Sequence, residues 1–71
     1  MGSQVYKHIK VTGQSSESIE GAIRAALEES ARTIKGHSWF EVVDVRGNLS
    51  PEAAIETYQV TIEVGFGLER R

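Results

Sequence analysis

Trp39 and Gln59 are the side chains best suited to binding chemistry. Trp39 is the single tryptophan of the chain, and its indole is a flat, polarisable stacking surface. Gln59 carries an amide that donates and accepts hydrogen bonds at once. Other reactive types do not assemble into a catalytic pattern. Glu41 and Glu63 read as paired carboxylates for acid–base work, but no nucleophile or cleft accompanies them. An ion site or channel at a symmetry axis is the alternative reading of these two. His8 and His37 are not spaced as a metal pair, and no cysteine is present to attack a substrate or bind zinc.

The elements that position these residues follow from periodicity. Val5, Lys7, Ile9 and Val11 alternate with Tyr6, His8, Lys10 and Thr12, which predicts a strand over 5–11 broken by Gly13. Ser16 and Ser18 are candidate helix N-caps. Ile19, Ile23, Ala26, Leu27, Ala31 and Ile34 then recur at spacings of three and four, which predicts a helix over 19–34 with one apolar stripe. Glu20, Arg24, Glu28 and Arg32 alternate in sign on its other side. Ala22, Ala25 and Ala26 are small enough for a close backbone approach. Lys35 and Gly36 suit the helix C-terminus.

A second strand is expected over 37–45. Strict alternation places Phe40 and Val42 on one face, followed by Asp44, and Trp39, Glu41, Val43 and Val45 on the other. Arg46-Gly47-Asn48 reads as the start of a loop, with a short helical turn as one reading of 50–54. The third strand, over 56–68, turns Tyr58, Val60, Ile62, Val64, Phe66 and Leu68 to one side. Thr57, Gln59, Thr61, Glu63, Gly65 and Gly67 fall on the other.

The fold class is therefore α+β: a β-α-β-β chain with a three-stranded antiparallel sheet in the order 1-3-2, packed on one helix. The longest and most apolar strand takes the centre, and it covers the helix stripe together with Phe40 and Val42. The opposite sheet face carries Trp39, Val43 and Val45 beside Thr57, Gln59, Thr61 and Glu63. A single helix leaves this face without cover. At about 25 cal/mol per Å² of apolar surface, an exposed Trp forgoes several kcal/mol. This face is expected to meet another subunit, a ligand, or both.

The 71 residues are read as a single domain over 1–71. A chain this short and without disulfides commonly gains stability by oligomerising. The net charge of −2 argues against a general nucleic-acid binder. No apolar run reaches the length of a membrane span, and no signal peptide is seen. A cytoplasmic location is expected.

Several stretches together resemble the dodecins, and a bacterial-type member above all. They are Val5-Tyr6-Lys7, Ser18 with the Ala-rich helix, Trp39-Phe40-Glu41-Val42, Arg46-Gly47, Tyr58-Gln59-Val60-Thr61 and Val64-Gly65-Phe66. The likeness spans nearly the whole chain. It implies a hollow homododecamer that binds flavin, with isoalloxazine rings stacked between Trp side chains of neighbouring subunits. The family's Trp falls on Trp39, its ring-bonding Gln on Gln59, and an Arg near the ligand pocket on Arg46. FMN is the first expectation, with riboflavin, FAD and lumichrome as alternatives, and Arg46 would pair with an FMN phosphate. The role implied is storage and quenching of flavin photochemistry, without enzymatic turnover. Some bacterial-type members also bind coenzyme A, partly through a basic residue between the Phe and Leu of the last strand. Gly67 stands there, which counts against coenzyme A as a second ligand. Two other readings compete: an oligomeric structural shell without flavin, and a flavin-dependent reductase.

Overall fold

The computed structural model describes residues 4–68. The chain runs β1 (Tyr6–Ser15), α1 (Ile19–Ala31), β2 (His37–Leu49) and β3 (Ile55–Gly67). The three strands form one antiparallel sheet in the order β1-β3-β2, as the alternation of apolar residues predicts. Val60, Ile62 and Val64 of β3 are fully buried against Ala22 and Ala26 of α1, and Ile9, Val11, Ile23 and Leu27 surround this core.

Gly13 does not end the first strand. β1 continues to Ser15, and Gly13 is buried where it passes beneath the helix. A Cβ there would collide with the Ala22 carbonyl oxygen and come within 2.8 Å of the Ala26 nitrogen. The glycine is thus a contact point between sheet and helix, a known use of glycine inside strands. The helix seats on its small residues, with Ala22, Ala26 and Ser30 buried one turn apart. The expected stripe is correspondingly rotated: Ile19 is left 43% exposed.

Ser18 caps the helix, its hydroxyl accepting from the Gly21 amide at 2.9 Å. Ser15 Oγ accepts from the Glu17 amide at 3.0 Å and shapes the turn before it. The helix ends at Ala31, three residues short of the expected limit, with Arg32 at its C-cap. Gly36, at φ +83°, instead turns the chain into β2, where its carbonyl accepts from the Gly67 amide. Of the expected charge ladder, Glu20–Arg24 forms, while Arg32 pairs with Glu29 at 3.5 Å.

Arg46, Gly47 and Asn48 lie within β2, paired with Gln59, Tyr58 and Thr57. The β2–β3 connection is a tight turn in which the Ala53 amide donates to the Ser50 carbonyl and the Ser50 amide to the Ala54 carbonyl. β2 contains register shifts between His37 and Trp39 and between Val42 and Asp44. The second one inverts the alternation. Asp44 and Arg46 stand opposite Thr61 and Gln59, on the face of Trp39, whereas Val45 stands opposite Val60, on the helix side. The expected placement of Val45 beside Trp39 is therefore corrected.

The helix packs on β1 and β3 and leaves β2 largely uncovered. Phe40 borders a groove of about 350 Å³ with Ile23, Leu27, Glu20 and Arg24, yet it stays 45% exposed. Val42 and Val45 are similarly open. The expectation that Phe40 and Val42 close the core within one chain is not met.

Candidate functional site

The helix-free face of the sheet carries the candidate residues. Its middle row is Trp39, Gly65 and His8, which share one register across β2, β3 and β1. Gly65 explains how Trp39 lies. A Cβ built on Gly65 would fall onto Cε2 and Cζ2 of the indole and within 2.6 Å of its Nε1. The indole therefore lies across β3 in the space that a side chain would fill. Its far side reaches β1, with ring centroids 6.0 Å from His8 and 6.4 Å from Tyr6. Trp39 still keeps 40% of its surface exposed. One side of the ring is backed by the sheet, and the other is available to a flat partner.

The next rows are polar and cross-linked. Glu63 stands between Lys10 and Glu41 in the register, and its carboxylate accepts from His8 Nδ1 at 2.7 Å. Thr12 and Thr61 share a hydrogen bond of 2.8 Å. Gln59 stands between Gln14 and Arg46. Its Nε2 donates to Gln14 Oε1 at 3.3 Å, while Arg46 Nε donates to Asp44 Oδ2 at 3.2 Å. Asn48 Nδ2 donates to Thr57 Oγ1 at 2.6 Å. The amide of Gln59 has further donor and acceptor capacity beyond this one bond.

Arg46 and Gln59 thus come together, although the sequence places Arg46 in a loop. Trp39 and Gln59 do not come together. Gly65, beneath the indole, is six residues along β3 from Gln59, which is roughly 20 Å at the usual strand rise. Within one chain the two side chains therefore stand towards different ends of this face. Residue type gives Tyr6 and Gly65 no role and sets His8 only against a metal pair, yet all three surround Trp39. A glycine in mid-strand, directly opposite a tryptophan in the 1-3-2 register, is the signal that finds them.

No group of three or more His, Asp or Glu side chains among the described residues could hold a metal ion. No helix among them is long and apolar enough to cross a membrane.

The chain matches the family model Dodecin over residues 5–69. It belongs to the dodecin family. The dodecin of Thermus thermophilus is 46% identical over 66 residues, covering 93% of this chain and 94% of that protein. A crystal structure of a Thermus thermophilus protein superposes with a TM-score of 0.88 at 40% identity, over 97% of this chain and all of that one. Thermus thermophilus dodecin has also been solved with a tryptophan changed to phenylalanine and with an arginine changed to alanine. Each variant gives a TM-score of 0.86 at 40% identity, over 96% of this chain and all of its own. The β-α-β-β fold with order 1-3-2 is that of the family's solved members, and the family name implies a homo-oligomer.

Proposed function

We propose that this dodecin is a flavin-binding storage and buffering protein of the cytoplasm, assembled as a hollow homododecamer and without catalytic turnover. The observation that carries the reading is the exposed indole of Trp39, backed by Gly65 and open on its other side. An isoalloxazine is flat and apolar on its faces, so a second Trp39 related by a two-fold axis would complete an aromatic slot. Gln59 offers an amide to the ring's alternating carbonyl and N–H edge. Because Gln59 and Trp39 of one chain are so far apart, the two contacts to one ring come from different copies. Arg46, beside Gln59, pairs with a phosphate when FMN is the ligand. Riboflavin, FAD and lumichrome share the same ring. Bound flavin, when photoexcited, takes an electron from an adjacent indole and returns it on relaxing, which limits damage from light.

Gly67 supplies no cation, so coenzyme A is not part of the proposal.

Titration of the protein into riboflavin or FMN is expected to quench flavin fluorescence, and Trp39→Ala is expected to weaken binding by about tenfold or more. Equal affinity in wild type and Trp39→Ala would overturn the assignment. Absence of any quenching by wild type would favour a shell that holds no flavin.

A further inference from the structure

Glu63 grips His8, and His8 in turn stands at the edge of Trp39. The imidazole Nδ1 lies 2.7 Å from Glu63 Oε1, and the ring centroid lies 6.0 Å from that of Trp39 at a tilt of 40°. Tyr6 closes the same edge at 6.4 Å. Gly65 leaves the indole without a side chain beneath it, so these β1 side chains set how far the ring extends across the sheet. Neither His8 nor Glu63 is given a role by the stacking and amide contacts described above. We propose that His8 is a positioning residue for the Trp39 platform, and that its protonation tightens flavin binding. The proposal rests on the flavin reading of the same face.

The direction follows from charge. Histidine is the side chain that commonly changes charge between about pH 5 and pH 8. Neutral His8 donates one ordinary hydrogen bond to the Glu63 carboxylate. Protonated His8 makes that bond charge-assisted, which holds the imidazole more firmly. The charges on this face nearest His8 are Lys10 of β1, Glu63 of β3 and Glu41 of β2, in one register row; Asp44 and Arg46, further along β2, offset each other in an ion pair. With His8 neutral this group carries an excess of one negative charge; with His8 protonated it is balanced. The helix lies on the opposite face and contributes no charge here. His37, the other histidine, also faces away: its Nε2 lies 3.1 Å from Ser30 Oγ of the helix.

Two readouts test this. Riboflavin is the probe, because it lacks the phosphate that Arg46 would attract. Its affinity is expected to rise about two- to fivefold between about pH 8 and about pH 5.5, the scale of one partly exposed charge-assisted contact. His8→Gln should hold affinity near the high-pH level throughout, and His37→Gln should keep the wild-type slope. The second readout needs no flavin. Emission from the single tryptophan should fall as His8 is protonated, and this transition should vanish in His8→Gln. A wild type that binds riboflavin equally at both pH values overturns this proposal alone, as does a His8→Gln protein that retains either transition. Absence of riboflavin binding at every pH overturns the flavin reading and this one with it.

Discussion

Gly65 contributes as much to the aromatic platform as Trp39 does. The indole occupies the volume into which any Cβ at position 65 would project. Gly65→Ala is therefore expected to push Trp39 off β3 and away from Tyr6 and His8. The fold should survive, because the displaced ring lies on a solvent-facing side of the sheet and the buried Val60, Ile62 and Val64 are untouched. Loss of flavin affinity comparable to that of Trp39→Ala, with unchanged far-ultraviolet circular dichroism, is the expected outcome. Wild-type affinity in Gly65→Ala would show that Trp39 binds in another rotamer. The tryptophan was legible from residue type alone. Its support was not, because a glycine in an alternating run registers only as a gap in the pattern. Its meaning depends on which residue the register sets opposite.

Of the helix's two packings, on β1 and on β3, the one on β1 is the closer. Gly13 of β1 meets the backbone of Ala22 and Ala26, so the helix rides directly on the strand. Gly13→Ala inserts one methyl group where backbone atoms cannot yield, and overpacking of this kind typically costs about 1–3 kcal/mol. A lower thermal midpoint is expected, larger than the loss from removing the Ser18 cap by Ser18→Ala, which is about 1 kcal/mol. If Gly13→Ala proved the milder change, the helix could lift from the sheet more easily than this contact implies. The order of the elements and the sheet topology followed from the sequence because the period changes sharply from two to 3.6 and back. Their ends followed less well. Gly13 and Arg46-Gly47-Asn48 resemble breakers by residue type, but Gly13 is fixed by helix contact, and the latter three by pairing with β3. The shift between Val42 and Asp44 was also hidden, since a bulge adds a residue without changing composition. That one residue moves Val45 to the helix side and brings Arg46 beside Gln59 on the Trp39 side. The candidate site owes its polar end to an irregularity that strict alternation cannot express.

The whole chain is shaped for a neighbour. Its radius of gyration is 15.1 Å, whereas a compact domain of this length is expected near 11 Å. It measures 58 Å in its longest direction and 13 Å in its shortest. Phe40, Val42 and Val45 line the helix side of β2 at 44–46% exposure, and Leu49 and Ile55 at the hairpin end are more open still. In a homo-oligomer this row is the natural contact between copies, distinct from the Trp39 face but on the same strand. Val42→Lys tests it. Val42 sits opposite Ile62, yet it is open enough that a lysine stem can reach solvent within one chain, so the isolated fold should tolerate the change. Buried between copies, the ammonium would be left without a partner and would oppose assembly. Light scattering is expected to report a smaller mass for Val42→Lys than for wild type. Flavin affinity should fall with it, because a slot needing Trp39 from one copy and Gln59 from another disappears when copies separate. A Val42→Lys protein with wild-type mass would place the contact elsewhere. One that separates yet still binds flavin with wild-type affinity would mean that a single chain suffices, against the roughly 20 Å that divides its Trp39 platform from Gln59.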